Sequence, residues 1–117
     1  MPRQHPGEPY YRISSTEAKT MLEDSPNDAV VIDVRRDDEW LEGHVSGAIH
    51  IPIDDMLDRL DELPDSKTLL FICAAGVRSG LACEFAASAG ISPELLYNIE
   101  DGTPIWIANN YPTDIGE

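Results

Sequence analysis

The amino-acid sequence predicts an α/β fold, namely an open parallel sheet of about five strands with helices on both faces. Short apolar runs rich in β-branched residues alternate along the chain with segments of helical periodicity, an order typical of parallel sheets. These runs lack polar alternation, as expected when helices cover both faces of a sheet. The 117 residues fit one domain, predicted at residues 10–117 after a disordered, proline-rich segment at residues 1–9.

The first half of the chain contains three predicted strands. The run "VVIDV" is nearly all apolar and β-branched, and "YYRI" and "AIHI" are shorter candidates. A helix begins at Ser14 or Ser15, since Ser14 and Glu17 have the spacing of a capping box. Gly43 ends one or two helical turns in "DDEWLEG". The predicted order is strand 10–13, helix 14–23, strand 30–34, helical turns 37–43 and strand 48–51.

The second half continues the alternation. An amphipathic helix is predicted at residues 54–63, because four leucine and methionine side chains fall on one helical face and Pro64 follows. Two buried strands, "TLLFI" and "LLYNI", flank a helix whose apolar stripe ends at Gly90. The last helix, "TPIWIAN", has Pro104 in its first turn and Asn110 as a left-handed stop.

The charge balance of the chain is strongly acidic. There are 22 acidic residues against 8 basic ones, which gives a net charge of −14 and a pI near 4.3. Such a surface repels nucleic acid and anionic membranes, so neither is an expected partner. It either attracts cationic partners or keeps the protein soluble in a salty or acidic habitat. The acidic residues are scattered along the chain, which favours the second reading.

Cysteine usage and the N-terminus predict a cytoplasmic protein. Cys73 and Cys83 cannot form a disulfide framework, and no spacing of cysteine and histidine indicates zinc, so no metal or cofactor is expected. The N-terminus lacks the apolar core of a signal peptide, and no apolar run approaches the ~20 residues of a membrane span. A monomer is the default expectation for the oligomeric state.

The candidate catalytic residue is Cys73, which opens the loop "CAAGVRS" directly after a buried strand. Thiolates, not thiols, are nucleophiles, and three features here could lower the pKa of the thiol. They are the N-terminus of the following helix, the permanent charge of Arg78, and a nest of inward backbone N–H groups at Ala74, Ala75 and Gly76. The loop is therefore predicted to hold an anion or a transferable sulfur. Cys83 lies mid-helix and is interpreted as a packing residue.

Two stretches of the sequence resemble the rhodanese (sulfurtransferase) family. Residues 30–52, "VVIDVRRDDEWLEGHVSGAIHIP", are similar to its first signature, with an acidic residue and an aromatic residue at Glu39 and Trp40 before a Gly-His pair. "CAAGVRS" resembles the active-site loop of the family, and "DGTPIW" and "NNYP" match its C-terminal pattern more loosely. The resemblance covers residues 10–113, nearly the whole chain.

The resemblance implies a chemistry and a set of site residues. Cys73 would attack the outer sulfur of thiosulfate or a persulfide, and the resulting persulfide would pass its sulfur to a thiol, cyanide or another protein. The catalytic residues implied are Cys73 and Arg78, with Asp33, Arg35 and His44 as structural support. The residues implied to bind the sulfur and its donor are Ala74, Ala75, Gly76, Val77 and Ser79.

The sequence leaves alternative functions open and departs from the family pattern in places. One alternative is a sulfur-carrier or sensing module that needs a partner protein; another is a phosphatase or arsenate reductase. The loop from Cys73 to Arg78 has six residues, whereas those oxyanion enzymes use seven, which favours sulfur. Because Ala74 and Ala75 carry no charge, we expect thiosulfate to be a poor donor and a protein or low-molecular-weight persulfide to be the natural one. Asp101 replaces a glycine of the family pattern; because aspartate tolerates a left-handed backbone, we expect only a local adjustment there.

Overall fold

The computed structural model describes residues 2–64 and 66–117. Its strands are β1 Tyr11–Ile13, β2 Ala29–Asp33, β3 His44–Val45, β4 Ile49–His50, β5 Thr68–Ile72, β6 Leu96–Ile99 and β7 Thr113–Asp114. Its α-helices are α1 Ser15–Asp24, α2 Asp37–Glu42, α3 Val77–Ser88 and α4 Gly102–Ala108. Five strands form one parallel sheet in the order β1-β6-β5-β2-β4. The predicted α/β fold with a five-strand parallel sheet is confirmed.

Strand β5 lies at the centre of this sheet and shows why its sequence is apolar at nearly every position. Leu69 and Phe71 pack in the core on the α3 side, whereas Leu70 and Ile72 pack in the core on the side of α1 and α4. All four side chains are fully buried. Burying each contributes about 1.5–3 kcal/mol to folding. The next residue in this alternation, Cys73, belongs to the α3 side.

The start of α1 follows the local signal in the sequence. The backbone N–H of Glu17 donates to Ser14 Oγ at 3.1 Å, and the backbone N–H of Ser14 donates to Glu17 Oε1 at 2.8 Å. Two helix N–H groups that would otherwise lack partners are thereby satisfied. The predicted capping box is confirmed. The left-handed conformation predicted for Asn110 after α4 is also confirmed, with φ of 59°.

The segment predicted as one amphipathic helix at residues 54–63 is instead two short 3₁₀ helices, Ile53–Asp58 and Leu60–Glu62. Their backbone N–H groups bond three residues back, as from Arg59 to Met56 O at 3.1 Å. Met56 is fully buried against the α3 side of the sheet, but Leu57 is 63% exposed. The α-helical prediction is therefore wrong: the segment winds with i→i−3 bonds, and Leu57, assigned to the buried face, is exposed to solvent.

A second, two-stranded sheet joins distant parts of the chain and was not predicted. Strands β3 and β7 are antiparallel, and His44 pairs with Asp114 and Val45 with Thr113. Each strand has two residues, too few to show a period-two pattern. The pairing fixes the C-terminal segment beside the turn that follows α2.

The segment before β1 contacts the domain. The backbone N–H of Arg3 donates to the Arg12 carbonyl at 2.9 Å, and Arg12 Nε donates to the Glu8 carboxylate at 3.0 Å. The disorder predicted for residues 1–9 stays a prediction, and its first residue lies outside the described part of the chain. None of the helices in residues 2–64 and 66–117 has the length and apolar character needed to cross a membrane.

Candidate active site

Cys73 comes directly after β5, at the carboxyl end of the central strand, which is the sheet edge where α/β proteins bind ligands. The loop turns back so that the backbone N–H of Gly76 donates to Cys73 Sγ at 3.1 Å. Cys73 is only 1% exposed, whereas Ala75 and Val77 on the rim are exposed. The sulfur therefore forms the floor of a loop whose outer residues face solvent.

Opposing effects act on the pKa of the Cys73 thiol. Burial raises it, while hydrogen bonds from the Ser79 hydroxyl and from the backbone amides of Ser79, Ala75 and Gly76 lower it, and the lowering prevails. Amide hydrogens that point at a sulfur stabilise its negative form. Hydrogen-bond donors of the loop, and not a neighbouring cation, are therefore the main cause of the lowered pKa. Burial instead raises the pKa of Cys83, which has no such donors.

A buried polar chain continues from the sulfur into the sheet. Cys73 Sγ lies 3.3 Å from Ser79 Oγ, and Ser79 donates to Asn98 Oδ1 at 2.6 Å. Asn98 Nδ2 donates in turn to the Gly76 carbonyl at 3.0 Å, which ties β6 to the loop. A hydroxyl carries one hydrogen, so Ser79 serves either Asn98 or the thiolate at one time. The backbone amides are consequently the constant donors to the sulfur.

Two glycines allow the backbone to approach closely around the loop. Gly76 has φ of 88°, and a Cβ there would lie 2.7 Å from the Glu100 carbonyl oxygen. Gly102 has φ of 77°, and a Cβ there would lie 2.0 Å from the Ala74 carbonyl oxygen. Both positions demand a left-handed backbone and leave no space for a side chain. The first residues of α4 therefore pack directly on the loop, where the backbone N–H of Thr103 donates to the Cys73 carbonyl at 2.9 Å.

The guanidinium of Arg78 is bound by a carboxylate from α2. Its two terminal nitrogens lie 2.6 Å and 3.0 Å from the two oxygens of Glu39. This bond lowers the pKa of Glu39 to about 2, so Glu39 is ionised at neutral pH. The roles predicted for Arg78, lowering the pKa of Cys73 and contacting an anionic donor, stay predictions. In this structure both ends of the guanidinium fork are engaged by Glu39.

Asp33 and Arg35 form a buried ion pair at the end of β2. Asp33 accepts from the backbone N–H of Arg35 at 3.0 Å and from its Nη2 at 2.9 Å, and Nη2 also donates to the Gly43 carbonyl at 2.7 Å. Asp33 is fully buried and Arg35 is 6% exposed. The pair fixes the turn after α2 to the sheet edge beside the loop, which supports the structural role predicted for both residues.

The indole of Trp40 stacks on two imidazoles. Its ring is stacked on His44 with centroids 3.5 Å apart and on His50 with centroids 4.5 Å apart. His44 Nδ1 donates to the Trp40 carbonyl at 2.9 Å, and His50 Nε2 donates to the Arg35 carbonyl at 2.7 Å. Both of these nitrogens are therefore engaged by backbone carbonyls. The geometry agrees with a structural role for His44 and gives one to His50, for which the sequence predicted none.

Asp101 corrects one expectation from the sequence. It has right-handed helical angles, with φ of −86° and ψ of −10°, and Gly102 takes the left-handed conformation. The Asp101 carboxylate accepts from the Ser15 backbone N–H at 2.9 Å and from Ser15 Oγ at 2.7 Å. Asp101 therefore connects the starts of α1 and α4 through its side chain, instead of supplying backbone freedom.

The comparisons with known proteins agree with this geometry. The sequence matches the Rhodanese-like domain family over residues 14–109. This chain belongs to the rhodanese-like domain family. It is 31% identical over 100 residues to YtwF of Bacillus subtilis, which carries a sulfurtransferase name, covering 86% of this chain and 93% of YtwF. It is 28% identical over 105 residues to the thiosulfate sulfurtransferase GlpE of Pseudomonas paraeruginosa, covering 90% of each chain.

A solved rhodanese-like structure gives the same picture of the fold. The rhodanese-like domain of Alr3790 from Anabaena superposes with a TM-score of 0.76 at 28% identity, covering 92% of this chain and 80% of that one.

Within the described residues, no group of three or more His, Cys, Asp or Glu side chains could hold a metal ion.

Two residues of this rhodanese-like site were missed by reasoning from sequence. Asn98 is an amide within the otherwise apolar and aromatic strand "LLYNI", and a buried amide needs partners, so this signal could have been used. Glu39 was noted as part of a motif, but its bond to Arg78 joins residues 39 positions apart. No local pattern could have shown that contact.

Proposed function

We propose that this rhodanese-like domain is a sulfurtransferase that carries sulfane sulfur on Cys73. The Cys73 thiolate attacks the outer sulfur of the donor, and the S–S bond of the donor breaks. The remainder leaves with the bonding electron pair, as sulfite from thiosulfate or as a thiolate from an organic persulfide. A thiolate acceptor then attacks the outer sulfur of the Cys73 persulfide, and the Cys73 thiolate is released again. The two displacements need no other oxidant or reductant.

The observation that carries the proposal is the hydrogen bond from the Gly76 amide to Cys73 Sγ at the end of the central strand. It supports a stabilised thiolate, which is the nucleophile that the first displacement requires. The six-residue length of the loop supports sulfur over phosphate as the bound group, since a shorter ring of amides closes around a smaller atom.

The donor class that we propose is a persulfide on a small thiol or a protein. GlpE is named for thiosulfate, yet at 28% identity the substrate of that relative does not carry over to this chain. Ala74 and Ala75 offer no charge, and Arg78 is bonded to Glu39. A small dianion therefore gains little from the loop, on a chain with a net charge of −14.

A donor panel scored by intact mass tests the proposal. We expect the protein to gain one sulfur atom when incubated with glutathione persulfide, and to gain it more slowly with the same concentration of thiosulfate. Cys83→Ala should load equally well, because Cys83 is fully buried in the core on the α3 side. An unchanged mass with every donor would refute the proposal.

A second candidate function is a sulfur-carrier or sensing module with negligible turnover of its own. The paired state of Arg78 favours it, because a loop without a free cation binds small anionic donors weakly and depends more on contacts from a partner protein. A turnover assay with a thiol acceptor separates the two functions. A carrier would load one sulfur atom but release no product over many cycles when a thiol acceptor is added.

A further inference from the structure

We propose that Glu39 determines the charge of the donor that this site accepts, by neutralising Arg78. This inference rests on the proposed function and specifies its substrate class. Glu39 acts through Arg78, so it is a positioning residue and not a catalytic one. Its effect is to make the entrance of the Cys73 loop unfavourable for dianions, while donors with less negative charge are affected less.

The contact between the two side chains is strong and partly shielded from water. Both terminal nitrogens of Arg78 bond to the two carboxylate oxygens of Glu39, a bidentate geometry that is among the strongest between side chains. The side chains are 27% and 18% exposed, respectively. A further hydrogen bond fixes the Glu39 carboxylate, since its Oε1 accepts from the Arg36 backbone N–H at 3.0 Å. Arg78 therefore has a fixed partner that does not leave readily.

The other nearby cations described are also paired with carboxylates. Arg35 is bonded to buried Asp33, and Arg36 is bonded to Asp38 at the surface. The groove beside the loop is lined by Arg35, Glu39, Glu42 and Ala74, among others. The groove on the other side of the loop is lined by Arg12, Glu84 and Glu100, among others, and Arg12 is paired with Glu8 and Glu100. A donor that approaches Cys73 thus meets carboxylates on both sides, and its closest cation is already bonded.

Removing the charge of Glu39 should change the preference for donor charge. Thiosulfate and methanethiosulfonate form a matched pair, because a methyl group replaces one charged oxygen and the reacting S–S bond is kept. Thiosulfate is a dianion that releases sulfite, and methanethiosulfonate is a monoanion that releases methanesulfinate. If the lost carboxylate lies about 6 Å from the donor and water screens the interaction, at an effective dielectric constant near 80, kcat/KM for the dianion rises about tenfold. For the monoanion, kcat/KM rises by about the square root of that factor, roughly threefold.

The experiment measures kcat/KM for both donors with the full chain and with Glu39→Gln. We expect the ratio of thiosulfate to methanethiosulfonate to rise about threefold, through a lower KM for thiosulfate with little change in kcat. Glu39→Ala removes the same charge and should give the same direction. Glu42→Gln is the matched control, because Glu42 lines the same groove without bonding to Arg78. In Glu42→Gln, the ratio should change by less than about half of its change in Glu39→Gln.

The possible results separate the two proposals. A ratio that stays constant in Glu39→Gln and Glu39→Ala, or that rises as much in Glu42→Gln, would overturn the role of Glu39 and leave sulfur transfer intact. A purely structural role for Glu39 would lower kcat/KM for both donors by the same factor, and this also contradicts the inference. If neither the parent chain nor any variant gains sulfur from any donor, the proposed function fails, and the inference fails with it.

Discussion

Replacing Cys73 with serine should reduce sulfur transfer to the uncatalysed background. Serine keeps the size of the side chain and can accept the Gly76 amide hydrogen bond, but its hydroxyl stays neutral at physiological pH and forms no persulfide. Turnover from a persulfide donor to a thiol acceptor should disappear, and intact-mass measurement should show no added sulfur. The mutant should remain folded, since one buried polar atom replaces another of similar size.

The matched control for this prediction is Cys83→Ala. Cys83 is the other thiol of the chain, is fully buried on α3, and has no amide donors among the causes of its raised pKa. The variant should retain the turnover of the parent chain, with at most a modest loss of stability from the missing sulfur. Residual persulfide formation in Cys73→Ser, or its loss in Cys83→Ala, would mean that the wrong cysteine has been assigned.

The second large effect concerns stability. Asp33→Ala should lower the free energy of unfolding by about 3–5 kcal/mol, because Arg35 would be left buried without its counter-charge. That is a large part of the 5–15 kcal/mol typical of a small domain. The loss is measured as the shift of the midpoint in urea denaturation, with the slope of the transition as a check on two-state behaviour.

Asp38→Ala provides the comparison at the surface. Asp38 pairs with Arg36 in the same region, but both side chains are more than half exposed, at 70% and 65%. Water screens exposed ion pairs, and ordering their side chains costs entropy, so the midpoint should shift little. Equal losses in the two variants would contradict the structural role given to the buried pair of Asp33 and Arg35.

Sequence reasoning succeeded where local and periodic signals agree. The strand "TLLFI" is buried on both faces, and the capping box at Ser14 and Glu17 forms as its spacing indicates. The placement of Cys73 at a strand end needs only these strands and the rule for parallel sheets. The structure accordingly has Cys73 directly after β5, while the roles given to the residues around the thiol stay predictions.

Sequence reasoning failed where tertiary contacts decide the outcome. The segment at residues 53–58 winds as a 3₁₀ helix instead of an α-helix, and a helical wheel cannot distinguish the two when a few apolar residues fit both. The expectation of a left-handed Asp101 missed its side-chain bond to Ser15, across 86 positions. Arg78 and Glu39 are also far apart along the chain. The sequence alone therefore could not show that the charge of Arg78 is neutralised by a carboxylate.

The ionisation of the Cys73 thiol tests the central claim most directly. It is measured from the ultraviolet absorbance of the thiolate against pH in Cys83→Ala, with Cys83→Ala/Cys73→Ser subtracted to remove the tyrosines. Because the loop amides and Ser79 lower the pKa despite burial, the thiolate should form below the value of an ordinary cysteine, about 8.5. Sulfur transfer should lose activity on the acid side only when the pH falls through this lowered pKa. A pKa at or above the ordinary value would show that burial prevails and that the loop does not hold a thiolate.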